Sequence, residues 1–325
     1  MKVFISSLGV MGRRHFSGAL LAAAEIIAFD PSDASIEKAR ETLHKPEFKD
    51  AKVEFVKSLP VGKEYDVAIF SETADYRKDN FLNFLETNKV KRVLLEKPIV
   101  RSEKDLAEIF SRCKELIASG VTVNVNFPRR SWPFYQALKN ELKNEKFIEM
   151  TLNGGAVGLG CNGIHYLDTF SFLTSESAEP LKILFSQVTD VLVGSGRGER
   201  FKDYGGKFLV AKGSNSFFLT INPESTATPI LTIKGNNKTL WIDENNYTYR
   251  KWTKEAGFEK PNYLYGQDYK ITSEGSVEYR DLISLTKGWL QGEISLPTLA
   301  EAQESHLALF ELLKSAKVQE PYLFT

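Results

Sequence analysis

A lysine and a histidine far apart in the chain are candidates for acid–base chemistry. Lys97 follows the apolar run Val93–Leu95 and Glu96, and it precedes Pro98. A lysine at the end of a strand can donate to a hydroxyl or carbonyl oxygen and stabilise an alkoxide, and a histidine with an ordinary pKa of about 6.5 suits proton transfer. We therefore predict Lys97 and His165 as catalytic residues; the alternatives are a surface lysine paired with Glu96 and a histidine packed at a helix start.

A glycine turn near the N-terminus has the residue types of a phosphate-binding loop. It reads Ser7-Leu8-Gly9-Val10-Met11-Gly12 and stands between a short apolar strand and a helix. The first amides of a helix favour a diphosphate, Gly9 would let the ligand approach the backbone, and Gly12 would let helix and strand pack closely. Ser7 replaces the usual first glycine, so the fingerprint is one position short, and an ordinary glycine turn is the alternative.

Asp30 strengthens the interpretation of this turn as a dinucleotide site. It ends the second predicted strand, about 20 residues beyond the glycines, where a carboxylate accepts hydrogen bonds from ribose hydroxyls. A carboxylate there repels a 2′-phosphate, so we expect NAD rather than NADP, although Ser32, Arg13 and Arg14 keep NADP open. The alternative role for Asp30 is a turn or helix cap before Pro31.

The elements that must position these residues are of the α/β class. Over residues 1–125, short β-branched strands alternate with helices, which predicts a doubly wound parallel sheet with helices on both faces, a Rossmann domain. Predicted strands are Val3–Ser6, Glu25–Asp30, Val53–Phe55, Asp66–Phe70, Arg92–Leu95 and Val121–Val125, and predicted helices are Arg13–Ala24, Ser35–Leu43, Asn80–Glu86 and Glu103–Ser119.

The pattern changes in residues 126–325, which we predict to be a second α/β domain with an antiparallel sheet. A glycine-rich turn at Gly154–Gly163 leads into an apolar helix through His165–Leu173. The other predicted helices are Trp132–Glu141 and Thr298–Ser315, and the predicted strands are Phe147–Leu152, Val188–Val193, Lys207–Val210, Ser216–Ile221, Ile230–Lys234 and Lys238–Ile242.

Composition narrows the function classes. The chain has 325 residues, with 42 basic and 42 acidic side chains, so its charge gives no reason to expect nucleic acid or an anionic membrane as partner. No apolar stretch is long enough to span a bilayer, and Arg13 and Arg14 interrupt the N-terminal apolar run where a signal peptide must stay uncharged. Cys113 and Cys161 are too few for a disulfide framework and have no metal-ligand spacing, so we expect a cytoplasmic protein without a metal site.

Together these motifs resemble the glucose–fructose oxidoreductase / inositol dehydrogenase family. The resemblance is carried by Ser7–Gly12 with His15, by Glu96-Lys97-Pro98, by Gly163-Ile164-His165 with Asp168, and by the tail from Trp289 to Ala316. It implies an N-terminal Rossmann domain and a C-terminal domain on a large, open, mostly antiparallel sheet, through which copies form dimers or tetramers. It also implies NAD(P)-dependent oxidation of a sugar or cyclitol hydroxyl, or reduction of the ketone.

The sequence departs from the family pattern where substrate is expected. The family's aspartate before Gly163 is Cys161 here, which is either an activated thiol or a small filler, and Asn162 is a candidate to replace the lost hydrogen bond. Asp168 lies on the same helix face as His165, and it either orients the histidine or pairs structurally. Arg130 either binds a substrate phosphate or carboxylate or ties the domains together.

A second departure follows the fourth strand. The family's Thr-Pro pair is Glu72-Thr73 here, and its downstream histidine is Arg77. The resemblance places Ser71 and Glu72 beside the nicotinamide ribose, and Glu96 beside the cofactor with Lys97. Aromatic residues at Tyr247, Tyr249, Trp252, Tyr263 and Tyr265 are candidates to stack a sugar, with core or interface packing as the alternative.

Three functions fit these residues. The first is an NAD(P)-dependent dehydrogenase or reductase acting on a sugar, amino sugar, nucleotide sugar or cyclitol. The second is a dinucleotide-binding regulator or sensor without turnover, which Cys161 favours and the pair Lys97 and His165 disfavours. The third is a hydrolase or epimerase that removes a hydride to NAD and returns it to the same molecule.

Overall fold

The computed structural model describes residues 1–195, 198–254 and 269–324. These residues form two sheets with helices packed against them. The first sheet contains β1 Lys2–Ser6, β2 Glu25–Phe29, β3 Val53–Val56, β4 Glu64–Phe70, β5 Lys89–Leu95 and β6 Thr122–Val125. The second contains β7 Glu149–Gly154, β8 Lys182–Gly194, β9 Lys202–Lys212, β10 Asn215–Ile221, β11 Ile230–Lys234, β12 Lys238–Asp243, β13 Thr248–Lys254 and β14 Tyr269–Ser276. The helices are α1 Val10–Leu21, α2 Asp33–Leu43, α3 Ala74–Thr87, α4 Glu103–Ala118, α5 Pro133–Leu142, α6 Ile164–Leu173, α7 Leu282–Gln291 and α8 Leu299–Ser315.

The first sheet is parallel throughout and has the strand order β3-β2-β1-β4-β5-β6. Its strands are apolar because helices cover both faces. The strand order reverses between β1 and β4, and in open α/β sheets ligands bind beyond the carboxyl ends of the strands at such a point. The turn at residues 7–12 follows β1 directly, and Ser71 follows β4. The predicted fold class is confirmed.

The second sheet has the order β14-β13-β12-β11-β7-β10-β9-β8 and is antiparallel except for the β7–β10 pair. Side chains alternate across it. Those of one set, such as Phe208, Phe217 and Leu240, are buried in a core that also takes in α6 and α8, while Phe218 and Trp241 are each 37% exposed. One face of the sheet is therefore covered and the other is open.

The helix α7 belongs to the second half of the chain but packs against the first sheet. Gly18 of α1 lies so close to α7 that an added Cβ would be 2.7 Å from the Ile283 carbonyl oxygen. Trp289 and Leu285 of α7 join a core with Val3 and Ile5 of β1. The predicted division between residues 125 and 126 stays a prediction, and α7 belongs by packing to the first sheet.

Several predicted bounds were wrong. The helix predicted from Asn80 begins at Ala74, and β8 and β9 are longer than predicted. The strands β13 and β14 and the helix α7 were not predicted at all. Within the described residues, no helix is both long and apolar enough to cross a bilayer.

Candidate active site

The turn between β1 and α1 has the backbone shape that a phosphate-binding loop requires. Ser7 has φ +72°, the left-handed conformation in which glycine is the usual residue. A Cβ on Gly12 would lie 1.9 Å from the Ser7 carbonyl oxygen, so only glycine fits there, whereas one on Gly9 would have its nearest neighbour at 3.7 Å. The space above Gly9 is open to a ligand.

The first turn of α1 leaves its amide groups available. Helices α2, α4, α7 and α8 each begin with a side chain that accepts a hydrogen bond from a first-turn amide. Like α3, α5 and α6, α1 has no side-chain cap; its N-cap is Gly9, and its first turn contains no acidic residue. The N–H groups at the start of a helix need an outside acceptor, so this end fits the diphosphate of a dinucleotide.

Three predicted cofactor residues, Asp30, Ser71 and Glu72, lie next to this turn. The Asp30 carboxylate accepts from the backbone N–H groups of Leu8 (2.7 Å) and Ser32 (2.9 Å). Ser71 Oγ donates to the Ser6 and Ser7 carbonyl oxygens at 2.8 and 3.1 Å. Glu72 is 5% exposed and accepts from Ser6 Oγ. All three predicted cofactor residues therefore lie at the switch point, where they also support the turn itself.

Glu96 anchors the loop that carries Lys97. Its Oε1 accepts from Asn126 Nδ2 at 2.7 Å and lies 3.0 Å from His15 Nε2, whose ring is held on its other side by Thr286 Oγ1 at 2.8 Å. Burial alone would raise the pKa of Glu96, but the hydrogen bond and charge of His15 and the charge of Lys97 outweigh it and lower the pKa to about 2. A permanently ionised carboxylate thus fixes the start of the loop.

Two further buried side chains hold the backbone directly after Lys97. The Arg77 guanidinium, fully buried, donates to the carbonyl oxygens of Pro98, Ile99 and Glu72. The Ile99 N–H donates to His306 Nε2 at 3.1 Å. Arg77 joins the loops after β4 and β5, and the position of Lys97 depends on both.

His165 lies at the start of α6 and lines the same cleft as Lys97. Its Nδ1 is buried without a hydrogen-bond partner among the described residues, and its ring packs edge-on against Phe127 at 5.7 Å. Burial, together with the positive charges of Lys97 and Arg129, lowers its pKa well below 6.5. The imidazole is therefore neutral at pH 7 and able to accept a proton.

Asp203 is a residue of the candidate site that sequence reasoning missed. From β9, its carboxylate accepts from the N–H groups of Gly160 (2.8 Å) and Cys161 (2.6 Å) and so fixes the turn before α6. The Cys161 carbonyl oxygen accepts in turn from Lys97 Nζ. A Cβ on Gly158, at φ +70°, would lie 2.4 Å from the Asp203 carboxylate, so the glycine-rich turn makes room for this side chain. That turn was the one signal in the sequence.

Asp168 and Arg130 are brought together, but away from the cleft. Arg130 donates from Nε and Nη2 to the two Asp168 oxygens at 2.9 and 2.8 Å, and Asp168 is fully buried. Asp168 is thus engaged with Arg130, and His165 is not its hydrogen-bond partner. The pair joins the segment after β6 to α6, as in the structural alternative considered for both residues.

Lys97, Cys161, Asn162 and His165 line one cleft of about 580 Å³, a size that holds a small ligand. Its other lining residues are Met11, Arg14, Glu96, Asn126, Pro128, Trp132, Tyr247, Tyr279, Arg280, Asp281, Leu282 and Ile283. The cleft therefore combines the phosphate turn, the Lys97 loop, the start of α6 and the start of α7.

The candidate aromatic residues separate into different places. Tyr247 lines the cleft and stacks on Tyr279, with ring centroids 4.1 Å apart. Tyr249 packs against Phe134 at 5.1 Å, and Trp252 lies on β13 away from the cleft. Tyr263 and Tyr265 lie outside the described residues.

Several solved structures are similar to this chain over nearly its whole length. A dehydrogenase (MviM) from Clostridium difficile matches over 97% of this chain and 99% of its own, with TM-score 0.67 and 13% identity. A UDP-N-acetylglucosamine 3-dehydrogenase, GnnA from Acidithiobacillus ferrooxidans, matches over 96% of each chain with TM-score 0.69 and 13% identity. A super-repressor mutant of Gal80p from Saccharomyces cerevisiae matches over 98% of this chain and 96% of its own, with TM-score 0.72 and 14% identity.

The chain therefore shares the fold of these three proteins over nearly its whole length. No protein-family model matches the sequence, and no curated protein sequence does either. The cleft of our chain is lined by both an ammonium group, that of Lys97, and a neutral imidazole, that of His165. Such a pair can exchange the proton of a substrate hydroxyl and stabilise the charge left on its oxygen.

Proposed function

We propose that this protein is an NAD-dependent oxidoreductase acting on a hydroxyl or ketone of a sugar, amino sugar, nucleotide sugar or cyclitol. The observation that carries the proposal is that Lys97 and His165, from different halves of the chain, line one cleft with Met11 of the phosphate turn. The names of several fold relatives, dehydrogenases and oxidoreductases among them, support the same reaction class.

The residues divide the work of oxidation between them. Bound nicotinamide supplies the hydride acceptor. His165 takes the hydroxyl proton, which a neutral imidazole can do at pH 7, while the Lys97 ammonium group stabilises the oxygen as its negative charge develops. The carbon loses a hydride and its oxygen loses a proton, so a carbonyl forms and the charges balance. In reduction the same groups return the proton.

The choice of NAD over NADP rests on Asp30. Its carboxylate lies at the end of β2, is 6% exposed, and accepts from two backbone N–H groups beside the turn. A phosphate on the adenosine ribose would place a second anion against it. A cytosolic location belongs to the same proposal, since Cys113 and Cys161 are both free thiols.

A regulator that binds the dinucleotide without turnover is the second candidate. Two observations favour it: the residue where the family resemblance implies aspartate is Cys161, and a repressor mutant shares the fold. NADH binding with no turnover across a broad sugar panel would select this candidate. Product formation without net change in cofactor would instead select a hydrolase or epimerase that uses NAD transiently.

Replacing Lys97 by alanine tests the enzymatic role. We expect Lys97→Ala to keep NADH affinity within a few-fold and to lower turnover by at least about 100-fold, because the ammonium group acts on the substrate oxygen. Fluorescence titration with NADH and absorbance of the nicotinamide band measure the two effects. Lys91→Ala, at an exposed position on β5, the strand that precedes the Lys97 loop, is the matched control. An undiminished rate in Lys97→Ala would remove the lysine from the mechanism.

The proposal extends to a homo-oligomer formed through the open face of the second sheet. Paired residues form one row across the strands, from Phe185 through Leu209, Phe218, Thr151, Thr232, Trp241 and Arg250 to Glu274. Phe185, Phe218 and Trp241 of this row are apolar and exposed, as in surfaces that associate.

A further inference from the structure

Two arginines line the cleft without a side-chain partner among the residues that the structure describes. Arg14 lies on α1 and is exposed, and Arg280 precedes the first residue of α7. Neither guanidinium has a hydrogen bond or ion pair within the described part of the chain, although both line the cleft that holds Lys97 and His165. The positive charge of both side chains is thus available to a ligand.

The two arginines belong to elements that pack on each other, since Arg14 lies on α1 and Arg280 lies two residues before α7. Gly18, one turn after Arg14 and on the same helix face, lies against Ile283 and Thr286 of α7. His15 Nδ1 lies at hydrogen-bonding distance, 2.8 Å, from Thr286 Oγ1. The N-terminal half of α7 is therefore packed against α1 between His15 and Gly18, and each of the two elements brings one arginine to the cleft.

The carboxylates of the cleft are already engaged. Glu96 accepts from Asn126 Nδ2 and the Lys97 N–H and is joined to His15. Asp281 caps α7 and accepts from the Ile283 and Ser284 N–H groups at 2.9 and 3.1 Å and from Ser284 Oγ. The acidic groups are satisfied by the protein, so the uncompensated charge facing a ligand is positive.

Three aromatic side chains line the same cleft, those of Trp132, Tyr247 and Tyr279, and together they are called the aromatic wall. Tyr247 and Tyr279 stack at 4.1 Å and are 39% and 46% exposed, and Trp132 meets Tyr279 edge-on at 5.9 Å. Tyr247 has φ +53°, an unfavourable conformation for a residue of its size, and such strain concentrates at ligand sites. Exposed rings of this kind pack on the apolar face of a sugar or cyclitol.

We infer that the substrate carries an oxyanion, a carboxylate or a phosphate, which Arg14 and Arg280 bind while the ring packs on the aromatic wall. A neutral sugar would leave two guanidinium groups unmatched, whereas their planar donors fit either oxyanion. This inference rests on the proposed function and specifies the substrate class of that site.

Thermal unfolding of NADH-saturated protein tests the inference. NADH first fills the dinucleotide site, and inorganic phosphate, D-glucose 6-phosphate, D-glucuronate and D-glucose are then added separately at constant ionic strength with chloride. We expect one or more of the oxyanions to raise the unfolding temperature of the wild type by about 2 °C or more, because ligand binding to the folded state stabilises it. Comparing phosphate with glucuronate distinguishes the two oxyanion sources.

Variants assign the effect to the two arginines. The double variant Arg14→Gln/Arg280→Gln should lose the shift and keep NADH affinity within about threefold. Arg112→Gln, which changes a partly exposed arginine on α4 outside the cleft, is the control and should retain the shift. An equal shift in the double variant, no oxyanion shift in the wild type, or a large loss of NADH affinity in Arg14→Gln would overturn the inference. Failure of the wild-type protein to bind NADH would instead contradict the proposed function. In that case the same oxyanions would be compared on wild type and double variant without NADH, and that comparison would still decide whether the two arginines bind an oxyanion.

Discussion

Glu72 carries an ionisable carboxyl group into the interior beneath the phosphate turn. Its Oε1 accepts from Ser6 Oγ and from Asn80 Nδ2 at 3.1 Å, while its Oε2 is buried with no hydrogen-bond partner in the described part of the chain. Burial raises its pKa to about 7, although the Ser6 hydrogen bond and the charge of Arg77 act against the shift. The folded protein therefore holds a proton that the unfolded chain releases above its ordinary pKa of 4.5.

The variant Glu72→Gln should stabilise the protein in a pH-dependent way. Between pH 4.5 and about 7 the wild type loses stability as pH rises, because the folded state binds the proton more tightly than the unfolded state. Glutamine carries no charge, so its advantage should be small at pH 4.5 and grow to about 3 kcal/mol at pH 8. Urea unfolding at both pH values measures it.

Glu86→Gln, at an exposed position on α3, is the matched control for Glu72→Gln. It should change the free energy of unfolding little at either pH. A stability difference between Glu72→Gln and wild type that stays constant from pH 4.5 to 8 would contradict the buried proton.

Single residues differ in how far sequence could identify them. Lys97 and His165 were predicted because residue type and neighbouring motif point to chemistry, and they do line one cleft. Asp203 was missed because a carboxylate in a strand has the appearance of a solvated side chain, while its partners, the amides of Gly160 and Cys161, lie in a distant turn. Arg280 was missed for the same reason, because it lines the same cleft as Arg14 only once α7 packs on α1.

At the scale of elements, the turn and α1 form one unit that depends on Gly12. An alanine there would place Cβ 1.9 Å from the Ser7 carbonyl oxygen and 2.8 Å from Ser71 Oγ. We expect Gly12→Ala to lower the free energy of unfolding by about 2–3 kcal/mol, because backbone atoms must move to admit the methyl group. Urea unfolding measures this loss.

Gly9→Ala is the matched control on the same turn. Its Cβ would meet Ser7 Oγ at 3.7 Å, ordinary contact, so stability should change by less than about 1 kcal/mol. Equal losses in the two variants would contradict the described shape of the turn.

The elements of the first sheet were predictable and several of the second were not. Buried parallel strands read as apolar runs between helices, and β1, β2 and β4 were found on that basis. In β13, Thr248–Lys254, every described side chain is partly or fully exposed, so the alternation that marks a strand is weak. The helix α7 contains Gly288 and packs on an element from the opposite end of the chain, so local propensity gave little indication of it.

At the scale of the whole molecule, the open face of the second sheet predicts self-association. Phe218 and Trp241 belong to its exposed row, and a charge at either position would have to be buried in an assembled interface. We expect wild-type protein to sediment as a dimer or tetramer at micromolar concentration, and Phe218→Glu/Trp241→Glu to sediment as a monomer with an unchanged circular dichroism spectrum.

Val61→Glu provides the control for the oligomer, since Val61 is 69% exposed and lies outside the sheet. It should sediment like the wild type. A monomeric wild type, or an assembly that survives both charges, would show that this face is not the interface.

Calorimetric titration of cofactor-stripped protein with NADH tests the central claim, that the start of α1 holds a dinucleotide diphosphate. Saturable heat with one site per chain is expected for the wild type. Gly9→Ala should bind at least about tenfold more weakly, because its methyl group occupies the open space above the first-turn amides. Absence of heat in the wild type, or equal affinity in folded Gly9→Ala, would contradict the account.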